Sequence, residues 1–240
     1  MANPVEQFQI EPLVPLHIGS VNVSFTNSAL LMVISVALVT AFLTLSVRGR
    51  ALVPGRWQSM AEVFYEFVAN MIRDNVGSEG RKYFPFIFSL FMFVLFGNLL
   101  GMIPYTFTYT SHIIVTFALA SVVFVGVTII GFHRHGLHYL RMFFPHGAPI
   151  ATALILVPIE LISYLSRPLS LGVRLFANMT VGHIILKVVG GFVVALGVLG
   201  IVPMAFLGGV TVLEFGIALL QAYVFTILSC IYLHDAIHMH

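Results

Sequence analysis

The sequence predicts an all-α integral membrane protein, and three observations carry that prediction. Only 8% of the residues are charged, while 59% are hydrophobic. The mean hydropathy is +1.03. Apolar stretches long enough to span a bilayer, about 20 residues, recur along the 240-residue chain, separated by short polar or basic joints. A water-soluble domain is about a quarter charged, so the solvent for these side chains is lipid. The formal charge of +2 and the lack of a basic run exclude a nucleic-acid partner. Cys230 stands alone, which excludes an internal disulfide and a cysteine metal site. The opening residues hold Glu6 and Glu11 and no basic residue, unlike a secretory or transit leader, so the first apolar segment is expected to remain as a span.

The chain divides into one transmembrane domain, 1–240, with an outer N-terminal segment at 1–28. The first span is 29–47, entered through Ser24 to Ser28 and closed by Arg48 and Arg50. Over 55–76 the character changes. Trp57, Met60, Val63, Phe64, Phe67 and Met71 recur at helical spacing while Glu62, Glu66, Arg73 and Asp74 fall largely between them, which predicts an amphipathic helix in the interface. From Tyr83 to His133 there is no Lys, Arg, Asp or Glu, and Pro104 to His112 is turn-like. That predicts a helical hairpin over 83–132, with spans at 83–103 and 113–132, followed by a basic loop from His133 to Arg141.

The last region, 150–233, holds two helices about a reversal at the glycine-rich stretch Gly190 to Pro203. Each is about 40 residues, or roughly 60 Å, against a hydrocarbon core of about 30 Å. They must tilt steeply, bend or break. With five crossings, Arg48, Arg50, Arg56, Arg73, Arg81, Lys82, Arg134 and Arg141 fall on one side, and the opposite loops hold no Lys or Arg. By the positive-inside rule, the N-terminus is outside and the C-terminus cytoplasmic or in the matrix.

Charges inside spans are costly and face protein or water. Glu160, Arg167 and Arg174 are each two turns apart and so share one stripe of the first long helix, with Ser163, Ser170 and Asn178 beside them. Glu160 can pair with Arg167 along the helix, a purely structural reading. Arg174 has no acid within a turn, so its partner must come from another helix or chain. On the second long helix Glu214 and Gln221 share a face, with Tyr232 three turns on. His183 is the titratable imidazole at depth. Imidazole and a buried carboxyl can both pass protons near neutral pH. His183 and Glu214 fall on the outer side of Arg174, and Glu160, Ser163 and Ser170 on the inner side. Two polar routes thus meet one arginine from opposite faces, which suits alternating access to a moving carrier rather than an open pore.

Four segments then carry a resemblance: Ser166 to His183 (SRPLSLGVRLFANMTVGH), Pro158 to Ser163 (PIELIS), Gly97 to Pro104 (GNLLGMIP) and Leu213 to Gln221 (LEFGIALLQ). Together they resemble subunit a of rotary (F-type) ATP synthases. The resemblance implies a tilted hairpin over 150–233 facing the ring of c subunits, with Arg174 as the essential arginine opposite the c-subunit carboxylate. Asn178 and Gln221 match polar residues beside it. His183 and Glu214 match the outer half-channel; Glu160, Ser163, Ser170 and Tyr232 match the inner one. It further implies partners in the c ring, the peripheral-stalk b subunits and other synthase subunits, in a bacterial inner membrane before a mitochondrial one. No cofactor is expected, and the subunit makes no covalent bond itself. The loop histidines 133, 135 and 138 and the terminal His234, His238 and His240 are read as solvated or interfacial, with no metal expected.

The rival class is a self-contained secondary transporter or ion channel. Such proteins show internal repeats about a midplane site, and no repeat relates 29–132 to 150–233. An intramembrane enzyme is the third class, but the chain lacks HExxH and GxSxG.

Overall fold

A computed structural model describes residues 8–15, 17–18, 21–22, 24–49, 54–103, 106–143 and 150–238. Six helices dominate it: α1 (Asn27–Val47), α2 (Arg56–Val76), α3 (Phe84–Gly101), α4 (Ile113–His135), α5 (Ile150–Leu196) and α6 (Ile201–Ile237). Five helical stretches are long and apolar enough to cross a membrane, and α2 is the amphipathic remainder.

The helix ends follow local chemistry. Thr26 caps α1 by accepting from the Ala29 amide. Gly77, at φ 84°, stops α2, and Pro85 sits in the first turn of α3, where its missing N–H is not needed. The apolar run of α4 carries through His133 and Arg134 to His135. The segment expected to be a basic loop is therefore the last turn of a helix followed by 3-10 turns at Gly136–Phe143. Gly197, at φ 53°, begins the tight turn Gly197–Gly200 between α5 and α6. A left-handed backbone of this kind is where glycine is required.

The N-terminal segment contains short strands not anticipated from composition. β1 (Pro12–Val14) pairs antiparallel with β4 (Phe25–Thr26), and β2 (His17–Ile18) with β3 (Val21–Asn22). Asn27 fastens this ribbon to the start of α1. Its backbone amide donates to the Glu11 carbonyl at 3.1 Å, and its side-chain amide donates to the Gln9 carbonyl at 3.1 Å.

Burial is uneven. The central helix is α3, whose Ile87, Leu90, Phe91, Met92, Val94 and Leu95 are buried against α6 and its neighbours. Asn98, wholly buried on α3, donates to the Ala218 carbonyl of α6 at 3.1 Å. By contrast α1 buries Ser28, Ser35 and Ser46, rests Val39, Phe42 and Leu43 against the core, and turns Leu30, Val33, Val36, Leu38, Leu45 and Val47 outward. That is the pattern of a helix packing by small residues within lipid. The α5 helix runs 47 residues without interruption through Pro158 and Pro168, about 70 Å at 1.5 Å per residue. Each proline removes one backbone donor and invites a bend.

Candidate functional site

The α5–α6 hairpin has two ends: the turn end near Gly197–Gly200, and the open end where α5 begins and α6 finishes. Toward the turn end, Nδ1 of His183 on α5 lies 2.8 Å from Oε1 of Glu214 on α6. The Glu214 side chain is 2% exposed. Neither Oε1 nor Oε2 meets a donor aligned for a hydrogen bond among the described residues, so the approach of Nδ1 is one of ion-pair distance. Gly182 makes the approach possible, because a Cβ there would sit 2.6 Å from Oε1 of Glu214.

The other imidazole nitrogen is also engaged. Nε2 of His183 is 2.8 Å from the Thr108 hydroxyl, both residues being buried. Thr108 belongs to the segment between α3 and α4, and that segment is tied down locally. The Thr108 hydroxyl donates to the Gly101 carbonyl at 3.3 Å, and the Thr180 hydroxyl of α5 donates to the Ser111 carbonyl at 3.1 Å. The Phe8 ring lies 6.5 Å from the His183 ring, centroid to centroid, which brings the N-terminal segment to the same spot. At the start of α4, burial lowers the His112 imidazole below its usual range.

Arg174 sits two and a half turns from His183 toward the open end. It is exposed, on an exposed stripe with Ser163, Ser166, Ser170, Val173 and Val181. No described acid lies within ion-pair distance of it. Asn178 is half-buried and Gln221 buried, and no hydrogen bond ties either to another described residue.

Toward the open end the structure corrects one pairing. Arg167 does not bind Glu160 along the helix; its Nη1 donates to Oδ2 of Asp235 on α6 at 2.9 Å. Two tyrosines hold the same guanidinium, with ring centroids 5.5 Å away for Tyr164 and 5.2 Å for Tyr232. Tyr164 continues the network to the hydroxyls of Thr128, at 2.6 Å, and Tyr139, at 3.1 Å. The interhelix partner wins because a carboxylate at the end of α6 meets Arg167 between two tyrosine rings. Glu160 lies half-buried on α5 without an ion pair among the described residues, and Ser163 and Ser170 are exposed.

The site thus brings His183 and Glu214 together, sets Tyr232 against Arg167, and leaves Arg174 open. Sequence reasoning missed Thr108, Gly182 and Asp235. Asp235 carried a signal, an acid directly beyond a long apolar run. Thr108 and Gly182 carried none, since only the folded chain brings them to His183 and Glu214. His133 and His138 are exposed, His135 hydrogen-bonds the Ile237 carbonyl, His234 stacks on His238, and His240 lies outside the described residues.

The profile of the family described as ATP synthase A chain matches residues 29–234. A protein named ATP synthase subunit a from Paramagnetospirillum magneticum is 80% identical over 247 residues, covering 100% of both chains. The protein of that name from Rhodospirillum rubrum is 68% identical over 241 residues, again covering 100% of each. The one from Parvibaculum lavamentivorans is 56% identical over 243 residues, 98% of this chain and 94% of its own.

Proposed function

This chain belongs to the ATP synthase subunit a family, and from that premise we propose that it is the proton-channel stator subunit of a rotary ATP synthase. It is a multi-pass membrane protein whose partners include other ATP synthase subunits, and the bacterial plasma membrane is its setting.

The observation that carries the finer reading is Arg174: an exposed cation in a long apolar helix, with no described acid within ion-pair distance. A charge facing hydrocarbon costs several kcal/mol on most scales, so this side chain faces a partner of opposite charge. A carboxylate on each member of a c ring supplies one. A guanidinium stays charged at physiological pH and stabilises the ionised carboxylate. His183 and Glu214 then reprotonate the carboxylate from the outer side, at the turn end. After rotation, the carboxylate discharges toward the inner side past Ser170, Ser163 and Glu160, with Tyr232 near the exit, while Asn178 lies on the outer side of Arg174 toward His183. Gln221, one face with Glu214, lines the passage beside the arginine. Arg174 also blocks direct proton hopping between the two routes. Each charge that crosses contributes about 2.3 kcal/mol per 100 mV. The peripheral-stalk b subunits hold this chain still while the ring turns.

Arg174→Ala tests the reading in assembled complexes: ATP-driven pumping and proton-driven synthesis both vanish while the ring still co-purifies. Normal coupled pumping would overturn the assignment. The orientation has its own check on a Cys230→Ser background. Single cysteines in 104–112 label from outside only, and those in 134–146 from inside only; outside labelling at position 136 would invert or break the five-crossing topology.

A further inference from the structure

We infer that Thr108 is a positioning residue for the proton relay, accepting the Nε2–H of His183 and so confining one mobile proton to the line between His183 and Glu214. The inference rests on the outer half-channel reading above and extends it to a residue outside the helices that carry it.

The argument is a count of protons and lone pairs. A threonine hydroxyl has one proton to donate. A carbonyl oxygen can only accept, so the contact with the Gly101 carbonyl, 3.3 Å away, uses that proton. The lone pairs of the same oxygen then face Nε2 of His183 at 2.8 Å. The arrangement that satisfies both contacts at once is the one in which Nε2 carries hydrogen. With Nε2 so occupied, the ring can gain or lose a proton only at Nδ1, and Nδ1 lies 2.8 Å from Oε1 of Glu214. The pair has two loaded states, imidazolium with carboxylate and neutral imidazole with carboxylic acid. They differ by one proton moved across that gap. When Glu214 gives its proton to the ring carboxylate, bare lone pairs face each other over 2.8 Å. One proton taken from the outer side restores the loaded pair, so each cycle admits one proton and releases one.

The surroundings leave this to Thr108. Of the titratable groups on the elements packed here, Glu11 belongs to the N-terminal segment, His112 begins α4, Lys187 lies one turn along α5, and Glu214 is on α6. Among described acids, Glu214 is the one within ion-pair distance of His183. Phe8 offers its ring no hydrogen bond. Thr108 is itself held, because the Ser111 hydroxyl donates to its carbonyl and Thr180 ties Ser111 to α5. A side chain so anchored can fix an imidazole's orientation, as outer partners do for other functional histidines.

The test uses the assembled synthase membrane sector in vesicles with the catalytic head stripped, reading passive proton flux across a range of outer pH. Thr108→Val keeps the shape and removes the acceptor, and Thr108→Ser keeps the acceptor. The expected result is a flux about tenfold lower in Thr108→Val, a displaced outer-pH profile, and recovery of most of both in Thr108→Ser. Equal loss in the two variants would assign the effect to packing around the side chain and not to its hydroxyl, and overturn the inference. If Thr108→Val does not assemble, Thr108→Ala against Thr108→Ser makes the same comparison with the methyl absent from both; equal flux and profile in those two would overturn it. Glu214→Gln is measured alongside. If it moves the outer-pH profile and Thr108→Val does not, the role of Thr108 falls and the half-channel stands. If neither moves it, the half-channel reading itself fails and takes this inference with it.

Discussion

Arg167 and Arg174 lie two turns apart on one helix, on one stripe, in similar apolar company, yet the fold treats them oppositely. Arg167 is enclosed by Asp235, Tyr164 and Tyr232, its charge answered within the chain. Arg174 is exposed and answered by nothing in the described chain. A stripe read from spacing alone joins the two. The folded chain separates a clasp at the open end of the hairpin from a charge left exposed. A cation inside a membrane protein is thus best interpreted through its partner, not its position.

The comparison breaks most sharply at Arg174. Arg174→Ala is expected to remove coupled proton transport entirely, and Arg174→Lys to fail as well, since a buried ammonium can lose its proton and lacks the planar fork. Proton pumping in vesicles with quantified ring content measures both; retained coupling in Arg174→Lys would reduce the requirement to bare charge.

Next in size is Glu214→Gln, which keeps volume and hydrogen bonding but cannot change charge. Proton delivery from the outer side should slow about a hundredfold, the low end for a positioned acid–base group. Flux measured with outer and inner pH varied separately reads it. An outer-pH dependence that survives Glu214→Gln but disappears in Glu160→Gln would mean the two routes are assigned to the wrong sides.

Asp235→Asn should act on the clasp. Both partners are partly exposed, 26% and 38% for the side chains, so solvent screening keeps the cost near 1 kcal/mol. The thermal midpoint of the purified complex should fall slightly while coupled pumping persists. A pumping defect as complete as that of Arg174→Ala would erase the distinction between the two arginines.

The smallest effect expected is from Glu160→Gln, about twofold or less in flux, because Ser163 and Ser170 lie beside Glu160 and both are exposed. A block as severe as that of Glu214→Gln would show that Glu160 has no substitute on its route.

What was legible in the sequence was whatever one helix or one periodic pattern carries by itself. Five apolar stretches, the amphipathic helix, the reversal near Gly197 and the shared face of Glu214 and Gln221 all follow from local composition and a 3.6-residue period. Both of those polar residues are buried, as a polar face inside an apolar helix requires. Pairings between distant segments were not legible. Asp235 lies just past the apolar run as read, so Glu160 stood in its place as the candidate partner of Arg167. Thr108 and His183 are 75 residues apart, and no periodicity links a loop threonine to a helix histidine. Gly182 reads as an ordinary membrane-helix glycine until the carboxylate beside it is seen. The N-terminal ribbon escaped notice because its strands are two or three residues long, too short to establish alternation.

The unbroken length of α5 has an electrical consequence. Its apolar window, Ile155–Leu196, is 42 residues, about 63 Å of helix. Kept within about 30 Å of hydrocarbon, such an axis inclines by about 60° from the membrane normal. Arg174 and His183, nine residues apart, are then separated by about 12 Å sideways but only about 7 Å in depth. Between them falls about a quarter of the transmembrane voltage. On the proposed two-route reading, a carrier passing from one to the other would move mainly along an equipotential. The membrane field would then do most of its work in the access routes, raising the proton population at one end and lowering it at the other. Voltage and a pH difference become interchangeable there, each acting through how often the carrier is found loaded.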